Sequence, residues 1–419
     1  MRPDHLAMAV MAAATRGFFG WRVVGAAFVF AAFAWGIGFY GLSVFLHALH
    51  AARGWPVSLI SAAITVHYLM GAGLVAYLDD AHRRFGLVAT TRAGVVALAA
   101  GALAWGTATA PWQLFPAAAL TAAGWSATSS AGINAMLMPW FNRRRGFALN
   151  LALNGASFGG VLFIPLWVAL IDRLGLEAAA GLVAAATLMV LWTLTGRYLR
   201  PTPASLGQRP DGERARAPTG PEAVAAPISR RALLRRRHFQ TLSSAFALGL
   251  FSQVGLIAHL VSLLVPRLGE EGAASAVSLA GLCASAGRLL LGSFIDRVEP
   301  RLAAAGNFAL QIGGLLLLLL GAGGGAASSL AGCVLFGLGL GNLVSLPPLI
   351  AEREFAPADL GRAVALIIAI NQAVFSLAPA AFGALHDVTG GYAAPLLLAA
   401  ALHLTAALLV TTGRRRRSG

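Results

Sequence analysis

Twelve stretches of about twenty or more mostly apolar residues succeed one another along this chain, and that feature leaves few folds open. A helix rises 1.5 Å per residue, so about 20 apolar residues cross the hydrocarbon core of a bilayer. That ruler predicts spans at approximately 21–47, 57–79, 87–109, 112–138, 147–171 and 178–199, then 239–265, 273–295, 302–323, 326–350, 363–386 and 391–412. A soluble chain could not cover so much apolar surface, because 58% of residues are hydrophobic and only 11% are charged. The predicted class is an all-α integral membrane protein.

The spans fall into two sets of six. Between them "RPTPASLGQRPDGERARAPTGPEAVAAPISRR" (Arg200 to Arg231) is rich in Pro and Arg, cannot bury a core, and reads as a solvated linker. The expected organisation is an N-terminal six-helix unit (1–199) with a short uncleaved leader, a linker (200–238), and a C-terminal unit (239–419) with a basic tail. All 31 basic residues are arginine. With the abundant Ala and Gly, this suggests a GC-rich bacterial genome and hence a bacterial inner membrane.

The arginines also orient the chain. Placing the N-terminus inside leaves only Arg53, Arg173 and Arg267 in outer loops, so both termini and the linker are expected to be cytoplasmic. The net charge of +15 then faces the membrane surface, which removes the case for nucleic acid. Cys283 and Cys333 lie in apolar runs without metal-ligand spacing and read as packing residues. No phosphate-cradling loop, metal cluster or nucleophile with its base is apparent, so neither an enzyme nor a cofactor is expected.

The two sets repeat one another. Asp80 and Asp296 end the second and eighth spans, 216 positions apart; Arg145 and Arg362 precede the fifth and eleventh, 217 apart; Asn154 and Asn371 share that 217 offset. Parallel repeats about an axis along the membrane normal would give this pattern.

With these features the chain resembles the major facilitator superfamily. "GSFIDRVEPR" (Gly292 to Arg301) looks like that family's loop signature, matching at Gly292, Asp296, Arg297 and Arg301. The first copy, "AYLDDAHRRFG" (Ala76 to Gly86), keeps Asp80, Arg83 and Arg84, with Ala81 where an arginine is expected. The resemblance implies two six-helix bundles related by a pseudo-twofold axis. It also implies a conformational role for the signature charges and for Arg145 and Arg362. "WFNRRRGFALNLALNGASFGGVLFIPL" (Trp140 to Leu166) looks like the monocarboxylate and oxalate–formate branch, in which an arginine of helix 8 engages the substrate carboxylate. Arg288 matches it by position. Ala284 stands where animal monocarboxylate carriers have an aspartate, and the chain lacks the lysine that oxalate exchangers use.

Depth supports a site around Arg288. It precedes Asp296 by eight residues, about 12 Å inside, while Asn154 and Asn371 lie nine residues, about 13 Å, beyond Arg145 and Arg362. The same ruler, taken from Arg143, places Asn134 at that level. A mid-membrane charge costs about 2.5–3.5 kcal/mol and normally faces a partner or water. No span interior holds an Asp or Glu, so the partner of Arg288 is either an anionic substrate or backbone carbonyls within the helix packing. Asn371, Gln372 and Asn154 would line the cavity or join helices. Tyr40 would donate to a carboxylate or pack as an aromatic. His67, Gln253 and His259 are further candidates, with the histidines available for proton coupling. Gln311 and His403 read as packing or lipid-interface residues.

The leading expectation is a monomeric secondary active carrier of a small organic anion, a monocarboxylate, working by alternating access and coupled to protons carried by a histidine or by the substrate itself, or to exchange for a counter-anion. An efflux carrier of hydrophobic or cationic compounds and a transport-like sensor are the alternatives. The first lacks its usual intramembrane acid, and the second a soluble output domain.

Overall fold

The computed structural model describes residues 17–142, 144–212, 228–321 and 325–413. The leader, Arg143 and the arginines of the tail lie outside them. In hydrocarbon every backbone N–H and C=O must find a partner within the protein, and helices achieve this alone. Among the described residues, ten helices are long and apolar enough to cross a membrane. Twelve passes result. Arg237–Phe294 turns at Gly269 and counts twice, and Leu114–Thr128 joins Ser130–Leu137 to make a further pass. At φ 70°, ψ 175°, Gly269 occupies a conformation that side chains resist, and Arg267 beside it fixes the turn by donating to the Leu318 carbonyl (2.6 Å).

The first pass is Gly20–Gly38 with Tyr40–Arg53, the second Val57–Ala76, the third Leu87–Thr107, the fifth Arg145–Leu174 and the sixth Leu176–Leu194. The ninth is Pro300–Leu320, opened by Pro300 in its first turn and capped by the Glu299 carboxylate on the Arg301 and Leu302 amides. Ala326–Leu340 with Asn342–Glu354 forms the tenth, Pro357–Phe375 with Ala378–Thr389 the eleventh, and Ala393–Thr412 the twelfth.

Prolines do not place all the breaks. Pro165, Pro347 and Pro348 lie inside continuous helices, whereas the first pass breaks at Phe39 and the fourth at Ser129. Gly132 permits the latter, since a Cβ there would lie 1.9 Å from the Ala127 carbonyl oxygen.

Within the N-terminal six, pass one packs on five, two on four, and three on both four and six. In the C-terminal six, nine packs on ten and twelve. The halves meet along three seams: two against eleven, five against eight, and one against seven. The linker is anchored at both ends rather than solvated throughout. Gln208 donates to the Gly17 carbonyl and Asp211 N–H to the Trp140 carbonyl (both 2.8 Å). At its far end Ile228 N–H donates to Asp359 (2.8 Å), and Leu233 is fully buried in the C-terminal core. The Asp211 carboxylate also accepts from Asn142 N–H (3.0 Å) and Arg144 N–H (3.2 Å), so Gln208 and Asp211 fasten a segment whose composition suggested only solvent.

Candidate functional site

All hydrogen bonds between the halves, among the described residues, lie from mid-membrane toward the end opposite the arginine-rich loops. Asp387 accepts from Ser58 N–H (2.9 Å), Thr65 Oγ1 from Ala380 N–H (3.0 Å), Ser43 Oγ from Val261 N–H (3.2 Å), and the Val161 carbonyl from Ser278 Oγ (3.4 Å). His259 Nε2 reaches both the Pro379 carbonyl (3.1 Å) and Ser61 Oγ (3.3 Å). A carbonyl only accepts, so the proton sits on Nε2, and the Tyr392 hydroxyl donates to Nδ1 (3.3 Å). His259 therefore ties passes two, seven and eleven together.

Arg288 makes the deepest of these crossings. Its guanidinium donates to Ser157 Oγ of the fifth pass, and its methylene stem lies on Gly341, where a Cβ would meet Arg288 Cγ at 2.7 Å. Among the described residues no carboxylate pairs with it, and its Nε has no hydrogen-bond partner. The Tyr40 ring lies against Gly160, one turn beyond Ser157, and Tyr40 is within electrostatic reach of both Arg288 and Tyr68. Asn154, one turn from Ser157 toward the arginine-rich end, is exposed and makes no hydrogen bond to a described residue. Arg288, Ser157, Tyr40 and Asn154 thus share one stretch of the seam between passes five and eight. Ser157 does not stand out in the sequence as Arg288 does; its place three residues after Asn154 in "NGASFGG", hence on the same helix face, is the signal that points to it.

The other candidates are distributed differently. Asn371 is buried with an Oδ1 that lacks a donor, and Gln372 is half-buried beside it. Phe375, one turn on, meets Tyr68 edge to face at 5.9 Å across the seam. His67 is fully buried, bonded through Nδ1 to Thr121 (3.0 Å) within the N-terminal half. Gln253 accepts from Gln311 (3.1 Å), which bonds His403 in turn, and this buried chain stays inside the C-terminal half. Gln311 and His403 are fully buried there and do not face lipid.

Asn134 accepts from Arg145 Nη2 (2.8 Å), joining passes four and five. Its depth differs from the expected layer. The helix ends at Leu137, only three residues on, so Asn134 sits about one turn from the arginine-rich end. Counting back from Arg143 overstates the depth because the helix has stopped well before that residue.

Of the signature charges with described side chains, Arg83 and Arg301 pair within their own halves. Arg83 binds Asp79 (2.6 Å) and Asp80 on an exposed helix, Leu78–Phe85, while Arg84 stacks over Phe85. Arg297 and Gly292 are exposed. The backbone around Asp296 forms a single 3₁₀ turn, Ile295–Arg297. Arg362 donates to the Ile228 carbonyl of the linker. Arg301 is fully buried, holding Glu354 through Nε (2.5 Å) and Nη2 (2.8 Å) and donating to Thr241, His238 and Val410.

The sequence profile of the Major Facilitator Superfamily matches residues 28–355. Among characterised relatives, bovine (Bos taurus) monocarboxylate transporter 13 is 26% identical over 97% of this chain and 92% of its own length. Human (Homo sapiens) monocarboxylate transporter 11 is 28% identical over 68% of this chain and 60% of its own. Among solved structures, the nucleoside transporter NupG superposes with a TM-score of 0.71 at 12% identity, over 96% of this chain and 100% of that one. A bacterial homologue of the human lysosomal transporter Spinster, described as inward-facing and unoccupied, gives 0.65 at 14% identity over 96% of this chain and 99% of that one. The profile covers well over half of the chain and the fold agrees over nearly all of it: the protein belongs to the major facilitator superfamily and is a multi-pass membrane transporter, not an enzyme.

Proposed function

We propose that this transporter is a secondary carrier of a small organic anion, a monocarboxylate, bound between its halves at Arg288. The observation that carries the reading is a guanidinium at the inter-half seam whose one hydrogen bond to a described residue is to a neutral serine. Holding a charge there costs about 2.5–3.5 kcal/mol, and a carboxylate accepting two of its parallel donors offsets that cost. Tyr40 would donate to the same carboxylate, while Asn154 and the undonated Asn371 oxygen would line the path. The relatives named monocarboxylate transporters agree with this choice of substrate class.

By the arginine bias the arginine-rich end faces the cytoplasm, in a bacterium across the inner membrane. The bonds clustered toward the other end then describe an inward-facing state, and transport requires that end to open while the arginine-rich loops close. Asp80 and Arg83, now paired with one another, would exchange partners across the halves in that second state. Energy would come from a gradient of protons, carried by a histidine or by the substrate itself, or of a counter-anion.

Uptake into proteoliposomes of labelled lactate, pyruvate, acetate, formate, oxalate, a neutral amino acid and a lipophilic cation tests the proposal. Wild type should accumulate at least one monocarboxylate, Arg288→Ala should not, and Arg288→Lys should retain a small fraction. Equal uptake by wild type and correctly folded Arg288→Ala, or movement of the cation alone, would refute the anion site.

A further inference from the structure

A large cavity lies well away from Arg288. A trough of about 1000 Å³ runs between passes three, four and six at the arginine-rich end of the N-terminal half. These passes pack on helices of their own half, so the trough faces away from the seam and toward lipid. Its walls are mostly apolar, the charged residues being two arginines, with Thr202 at the mouth. Arg92 enters from the third pass and Arg200 from the end of the sixth.

Arg92 lies five residues into its helix, about 8 Å from the end, and its side chain reaches back toward that end, where a Cβ on Gly196 would meet Nη2 at 3.1 Å. Its guanidinium stacks on Trp192 at 4.4 Å, and its buried Nε has no hydrogen-bond partner. Among the described residues it has no ion pair. Deeper in, Val96, Ala100 and the exposed Leu120 extend the trough into the hydrocarbon. Ala100 is two turns beyond Arg92, about 12 Å. Cations at the arginine-rich mouth of an apolar channel match a lipid's phosphate and acyl chain in order.

We propose that the trough is a specific site for an anionic glycerophospholipid of the arginine-rich leaflet, its phosphate on Arg92 and Arg200 and one acyl chain along Val96, Ala100 and Leu120. The site is separate from the substrate site and stands whatever substrate is carried.

The test is titration of phosphatidylglycerol into delipidated full-length protein, read by native mass spectrometry. Each interfacial arginine contributes a factor of about five to anionic-lipid affinity. Arg92→Gln should therefore weaken binding about fivefold and Arg92→Gln/Arg200→Gln about thirtyfold. Arg235→Gln, at an exposed linker arginine outside the trough, should change nothing. Ala93→Trp keeps both arginines and fills the trough, so it should weaken binding without removing charge. Unchanged affinity in the arginine and tryptophan variants, equal binding of phosphatidylcholine, or competition by free glycerol 3-phosphate would overturn the proposal. So would a protein dimer that forms through this face and excludes the lipid.

Discussion

Arg301 can separate a fixed scaffold from a moving gate. Its guanidinium is fully buried and donates to Glu354 twice, to the Thr241 hydroxyl and to the His238 and Val410 carbonyls, so it links passes seven, nine, ten and twelve. Arg301→Met keeps the apolar stem and removes every one of those donors. Breaking a buried ion pair costs about 3–5 kcal/mol. The Glu354 side chain is 16% exposed, so water can partly replace the arginine and the lower end, about 3 kcal/mol, applies. For a unit the size of the C-terminal half this is a fall in Tm of about 6–12 °C. Thermal unfolding in detergent, followed by size-exclusion recovery, measures it. Replacing both partners, Arg301→Met with Glu354→Leu, should recover much of the loss, because no uncompensated charge then remains. If Arg301→Met changed Tm by less than about 2 °C while transport collapsed, Arg301 would be a gate residue and the scaffold argument would fail.

Three further outcomes follow from the same geometry. A Cβ on Gly383 would lie 2.6 Å from Ser61 Oγ and 3.1 Å from Ser58 Cα, so Gly383→Val should pry passes two and eleven apart. Proteoliposome flux should fall by tenfold or more while the folded yield holds, and normal flux would count against a tight seam there. In a background with Cys283 and Cys333 replaced by serine, Asn154→Cys should react with a membrane-impermeant maleimide applied to inside-out vesicles and resist it in right-side-out vesicles; the reverse pattern would invert the assigned orientation. Tyr40→Phe should raise the substrate KM several-fold with little change in Tm, since its hydroxyl bonds no described residue. An unchanged KM would leave Tyr40 a packing residue.

The parts of this fold legible in the sequence are those set by periodic, strong physics. Twenty-residue apolar runs mark the passes because backbone polar groups have no other refuge in lipid. Arg288 stands out for the same reason, as a charge where charge is expensive. What stays hidden depends on pairing across distance. Nothing local distinguishes Gln253, committed to Gln311, from Asn371, whose oxygen has no donor; both are buried amides near mid-helix. Asn134 is misplaced by residue counting because a ruler does not know that the helix stops at Leu137. The linker's attachment rests on Gln208 and Asp211, which in sequence are two more polar residues of a polar stretch.

Arg288 and Arg301 show how one residue type serves opposite ends. Arg301 is answered on every side by its own half, so moving that half leaves its energy unchanged. Arg288 is answered, among the described residues, by Ser157 of the other half, so any rocking of the halves must break that bond or trade it for another. A charge satisfied inside a rigid body cannot sense the motion of that body, whereas a charge left at the seam must. An anion on Arg288 would therefore bear directly on the equilibrium between the two states, because its binding energy differs between them. Coupling of substrate to conformation then needs no dedicated relay from a distant site. It follows from placing an underbonded mid-membrane cation on the surface where the two halves part.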